Sequence, residues 1–152
     1  MRIQTFPALV VVLLLAGCAK EEQTATMEDL TTREVRFPDG AKIRAEMLYK
    51  PFDMARGMMF RDSLAPDRGM LFINKTPGVH KSWMFNVRVP LDIIYVDQNL
   101  LVAEIVANAQ PCKAEKASLC PSYGSARSQF MLEVNAGFAA KHNLKVGDRL
   151  EF

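Results

Sequence analysis

In Lys81–Asp97, KSWMFNVRVPLDIIYVD, one carboxylate stands where apolar residues are expected: Asp92, between Leu91 and Ile93. Burial of an uncompensated carboxylate there would forfeit a large hydration free energy, so the side chain must find donors or serve a ligand. Two roles are open for it, a structural hydrogen-bond anchor following Pro90 and a general base or ligand-binding carboxylate. Trp83, in the same stretch, could form the aromatic platform of a cleft, although tryptophan is more often core or rim packing. Met54, Met58, Met59, Met70 and Met84 with His80 could gather soft donors for Cu(I), while methionine is also ordinary core filling. Glu133 lies in an alternating run and Asp148 in a Gly-Asp turn, so a hydrolytic carboxylate pair needs a fold that brings one of them to Asp92. His142 ends a short helical run, where it reads as a cap residue favoured by the helix dipole.

No Ser-His-Asp elbow, H-E-x-x-H, phosphate loop or dinucleotide fingerprint occurs, so no cofactor or metal is expected. The net charge of +2 over 152 residues gives no basis for a nucleic-acid partner.

The elements that must position these residues are mostly β. REVRF and AKIRAEMLY flank PDG, a hairpin signal with Asp39 and Gly40 in the turn. GMLFI, KSWMF, DIIYV, LLVAEIV, QFMLEV and DRLEF are further short apolar or alternating runs. That many short strands predict a compact mainly β domain, a jelly-roll-like sandwich or small barrel with one or two short helices. The helices are expected in PFDMARGMMF and in NAGFAAKHN, the latter ending near Asn143. Alternation in LDIIYV puts Leu91, Ile93 and Tyr95 on one face and Asp92, Ile94 and Val96 on the other. Both faces are apolar enough to be covered, so Asp92 is expected to be at least partly buried.

The amino-terminal residues supply an address. MRIQTFPALVVVLLLAGCAK has the layout of a secretory signal, with an apolar run too short to span a bilayer comfortably. LAGC resembles the lipobox of bacterial lipoproteins, in which the signal is cut before the cysteine and Cys18 is acylated; several acyl chains give stable anchoring. Ala19 follows where aspartate would favour inner-membrane retention, which points to the outer membrane, periplasmic face. The organisation expected is a signal peptide over residues 1–17, a lipidated cysteine and flexible tether over 18–32, and one globular domain over 33–152. Apart from Cys18, Cys112 and Cys120 form an even pair in an oxidising compartment and read as a structural disulfide.

RGMMFRDSLAPDRGMLF, SWMFNVRVPLDIIYVD, the PC at 111–112 and FMLEVNAGFAAKHNLKVGDRLEF together resemble, in order, the blocks of the family called domain of unknown function 192. The resemblance covers about residues 35–152. It implies a compact β domain similar to a jelly roll, often secreted or membrane-anchored, and no settled activity. The usual WMKNT is WMFNV here, so Phe85 stands for a lysine and Val87 for a threonine. The family blocks offer Arg56, Arg61 and Asn86 as donors to Asp92, a bidentate arginine being the strongest. The expected site is therefore a cleft with Arg56 or Arg61 beside Asp92 and with Trp83 and Asn86 opposite. It would serve an envelope module that binds a small molecule or protein partner, or else a hydrolase-like or lyase-like enzyme using Asp92 with Arg61.

Overall fold

The PDG turn forms as its residues demand. Gly40 takes a φ of 87°, its N–H donates to the Phe37 carbonyl, and Asp39 Oδ1 accepts the Ala41 N–H at 2.9 Å. The turn joins β1 (Thr32–Arg36) to β2 (Lys42–Leu48) as an antiparallel pair. The computed structural model describes residues 31–152, so the signal segment, Cys18 and all but the last two residues of the tether lie outside the described residues.

After β2 the chain makes α1 (Pro51–Arg56), with proline in the first turn, where its missing N–H costs nothing. Helical spacing predicts a run on to Met59, but the helix stops at Gly57, whose φ is 43°. The chain then enters β3 (Arg68–Val79), parallel to β2, and the short β4 (Ser82–Trp83). β5 (Leu91–Val96) and β6 (Val102–Ala109) form a hairpin. The short β7 (Ser122–Tyr123) follows, then β8 (Arg127–Asn135) and α2 (Phe138–Lys141).

Six strands make one mixed sheet in the order β1-β2-β3-β8-β5-β6, and β4 with β7 makes a second, two-stranded sheet. The domain is thus mainly β and sandwich-like, and the small-barrel alternative is corrected, because the large sheet does not close. The KSWMF and DRLEF runs give less strand than their patterns suggest. The first has only the short strand Ser82–Trp83 and an isolated bridge from Phe85 to Cys112, while the second makes isolated bridges from Arg149 to Leu101 and from Glu151 to Arg36.

Both faces of the large sheet are covered, as the double apolar pattern of β5 requires. On one face Leu71, Ile94, Val96, Leu132 and Val134 pack under α2, Leu144 and Leu150. On the other, Met70, Phe72, Ile93, Tyr95 and Met131 pack under Met58, Met84 and Val87. All six residues of β5 are buried.

Cys112 and Cys120 are joined, with Cα atoms 5.9 Å apart, in the long connection from β6 to β7. Closing so short a loop removes little chain entropy, so Cys112→Ser with Cys120→Ser is expected to lower stability by about 2 to 3 kcal/mol. Urea denaturation of the double variant checks this; an unchanged midpoint would show the loop to be held by other contacts. His142 caps α2 as expected and reaches the first hairpin, its Nδ1 lying 2.7 Å from Asp39 Oδ2. The Ala41 N–H and this imidazole hold the Asp39 carboxyl below its usual value.

Candidate functional site

Asp92 is completely buried, and its donors are backbone amides. Oδ1 accepts the Asn108 N–H at 2.8 Å and the Gly137 N–H at 3.1 Å; Oδ2 accepts the Ala139 N–H at 2.8 Å. Gly137 precedes α2 and has no side chain to cap it, so Asp92 caps that helix from the neighbouring sheet. The expected pairing with an arginine is corrected. Arg61 forms a bidentate pair with Glu46, at 2.6 and 2.8 Å, and Arg56 lies beyond the opposite face of the sheet from α2. An enzyme using Asp92 with Arg61 does not fit this geometry, since Asp92 is completely buried and Arg61 is paired with Glu46 elsewhere. The carboxylate pair does not fit it either. Glu133 pairs with Ile93 in the β5–β8 register and faces away from Asp92, while Asp148 closes its own turn by accepting the Lys145 N–H.

The other face of β8 holds the group that invites chemistry. Glu133 is 6% exposed, and its Oε2 has no hydrogen-bond partner within the protein. Burial pushes its carboxyl up to about 8, so at neutral pH it is mostly the neutral acid. It stands in a cavity of about 200 Å³ between the sheet, α1 with the turn after it, and β4. Phe72 and Met131 form the floor beside it, Met54, Met58 and Met59 the helix side, and His80, Lys81, Ser82 and Trp83 the β4 side. Trp83 is 41% exposed and Arg56 is exposed, so the aromatic ring and the guanidinium sit at the rim.

Beneath β4, the Ser82 hydroxyl and the Tyr95 phenol share a hydrogen bond of 2.6 Å. Tyr95 is fully buried, and burial pushes its phenol up to about 12, against the Ser82 hydrogen bond and with the nearby Glu104 and Glu133 carboxyls. It remains a donor at any physiological pH. Gly124, at a φ of 91°, lies so close that an added Cβ would come within 2.7 Å of the phenol oxygen. Lys81 donates to the Gly124 carbonyl, which fixes the β4–β7 side of the cavity.

The match to protein families agrees with the quoted sequence blocks: residues 34–152 fit the profile of domain of unknown function 192, DUF192, described as "Uncharacterized ACR". The chain belongs to the DUF192 family. Among solved structures, a protein of unknown function from Novosphingobium aromaticivorans is similar, with a TM-score of 0.70 and 32% identity over 80% of this chain and 84% of that one. A protein described as a putative transcription regulator from Sinorhizobium meliloti is also similar, with a TM-score of 0.68 and 29% identity over 78% of this chain and 89% of that one. No curated protein matches this chain.

In this DUF192 domain the structure divides the residues that the sequence grouped. Arg56 and Trp83 meet at the rim of the Glu133 cavity. Asn86, in a left-handed conformation with φ of 57°, lines a separate depression with Phe60, Arg88 and Cys112. Arg61 lines a third, larger depression beside Glu46 and Arg68, which borders Thr31, where the described chain begins. Of the methionines considered for copper, Met54, Met58 and Met59 border the cavity with His80, whereas Met70 and Met84 are fully buried core. His80 Nε2 is engaged with the Thr76 carbonyl at 3.0 Å. Among the described residues no three His, Cys, Asp or Glu side chains cluster to hold a metal ion.

Proposed function

We propose that this domain binds a small organic molecule in the Glu133 cavity and works as a lipid-anchored binding module of the cell envelope. One observation carries the binding reading: a nearly fully buried carboxyl with an unpartnered oxygen, set in a cavity instead of in packed core. Buried polar groups in folded proteins are nearly always hydrogen-bonded, and each exception calls for a reason. Here a bound molecule would supply the missing partner. Apolar walls with a few convergent polar groups and a perturbed carboxyl are the usual composition of a ligand site. The volume limits the ligand to about one ring with its substituents, since a cavity of about 150 Å³ accommodates benzene.

Phenol is a suitable first probe, having one ring and one hydroxyl. Amide chemical-shift titration should show saturable changes centred on Ser82, Trp83, Met131 and Glu133. The absence of any saturable change at those amides up to millimolar phenol would remove the binding reading.

The envelope part of the proposal rests on the LAGC context at Cys18. Cys18→Ser should move the protein from the membrane fraction to the soluble periplasmic fraction. Intact-mass measurement of an unmodified Cys18 thiol in the membrane-fraction protein would end it.

A further inference from the structure

We propose that the cavity selects a small organic anion: a ring-sized monocarboxylate that carries a hydrogen-bonding group at its far end. This inference rests on the binding reading above and adds the ligand class.

The lining holds two permanent cations, Arg56 and Lys81, and a single carboxyl, Glu133. Among the described residues no carboxylate lies within ion-pair distance of Arg56, in contrast to Arg61 with Glu46 and Arg88 with Asp62. Asp53, on the same helix, borders the neighbouring depression, which Arg56 lines as well, and does not border this cavity. Lys81 spends one of its three N–H groups on the Gly124 carbonyl and keeps two. Glu104, the carboxylate that Lys81 faces, is occupied by the Ser125 and Ala126 N–H groups at 2.6 and 2.7 Å.

Among the described residues neither rim cation is in an ion pair, although the Glu104 carboxylate lies near Lys81, and Arg56 carries the larger unbalanced charge. A cationic ligand would meet like charge on entry, and a neutral one would leave two donors unused. Between rim and base the walls are apolar, with Met54, Met58, Phe72 and Met131 suited to the faces of a ring. At the base, Glu133 Oε2 lacks a partner, which a hydroxyl on the far side of the ring would provide. The order of groups along the cavity is thus cation, apolar wall, neutral acid. The complementary molecule has carboxylate, ring and hydroxyl in that order.

Four probes of one size test this by calorimetry and amide-shift titration at fixed pH: 4-hydroxybenzoate, 4-hydroxybenzyl alcohol, tyramine and benzoate. We expect 4-hydroxybenzoate to bind about tenfold more tightly than the alcohol and tyramine to bind more weakly than either. Benzoate, which lacks the far hydroxyl, should also bind more weakly than 4-hydroxybenzoate. Arg56→Gln with Lys81→Gln, both exposed positions, should abolish the preference for the acid over the alcohol. Equal affinity for acid, alcohol and amine, or a preference for tyramine, would overturn the anion class while leaving the binding reading intact. So would a preference for the acid that survives the double substitution. If none of the four shifts the cavity amides saturably, the binding reading falls and this inference with it.

Discussion

Replacing Asp92 with alanine is expected to destabilise the domain by about 4 kcal/mol, with no loss of ligand binding in the Glu133 cavity. Three backbone N–H groups, of Asn108, Gly137 and Ala139, converge on this carboxylate inside the protein. Charge-assisted hydrogen bonds of this kind are roughly twice as strong as neutral ones, and a buried donor left without a partner costs about 1 to 3 kcal/mol. Water entering the vacated volume would meet some of the three, which keeps the total below their sum. Asp92→Asn is expected to cost about 2 kcal/mol. Its amide oxygen can serve Asn108 and Gly137, but its NH2 group then faces the Ala139 N–H, donor against donor. Urea denaturation monitored by circular dichroism measures both. A loss below about 1 kcal/mol for Asp92→Ala would show that α2 is held by packing of Phe138 and Ala139 alone. Loss of phenol binding in a variant that remains folded would show that the two faces of the sheet are coupled.

Asp92 also shows what the sequence could and could not disclose. Alternation in LDIIYV was enough to place its side chain on a covered face opposite Tyr95, because a strand gives each parity one side and both parities are apolar. The hairpin at PDG, the capping histidine and the cysteine pair were legible for the same reason: each is a local feature, decided by a few neighbouring residues. The donors to Asp92 were not legible. They are backbone amides up to 47 residues away in sequence, and an amide leaves no trace in residue type. Arginines do leave one, and so the residue types alone point to Arg56 and Arg61. Arg61 instead finds Glu46 across the β2–β3 crossover, a pairing 15 residues apart that depends on where α1 ends.

The Glu133 site was half visible. In QFMLEV, Phe130, Leu132 and Val134 share one parity and Gln129, Met131 and Glu133 the other, so alternation assigns the acid to the more polar face of the strand. Its burial comes from the turn after α1 and from β4, which cover that face and which the strand's own pattern does not announce. Glu133 and Asp92 lie back to back across the sheet, so the two carboxyls share no site. The cavity itself comes from the break after Arg56, where Gly57 turns the chain and lets Met58 and Met59 fold over the sheet instead of continuing the helix. Trp83 and Arg56 are brought together there by elements far apart in sequence, and Asn86 is carried out of the group by its left-handed backbone.

Glu133→Gln is expected to gain about 3 kcal/mol on the parent protein between pH 4 and pH 7. The folded protein holds this carboxyl at about 8, whereas the ordinary value is 4.5. Below pH 4.5 both folded and unfolded chains carry the proton, and the group makes no difference to the balance. Between pH 4.5 and 8 the unfolded chain has released the proton and the folded one has not, so stability falls as pH rises. Above pH 8 both are ionised and the contribution levels off. Glutamine has the same shape and does not titrate, so the slope assigned to this residue disappears while every other titration stays common to both proteins. Denaturation midpoints of the pair at pH 4, 5.5, 7 and 8.5 isolate it; parallel curves across that range would show that the carboxyl is solvated in the folded state and that the cavity holds no neutral acid. At neutral pH, then, the parent chain gives up stability by keeping an acid where glutamine would fit.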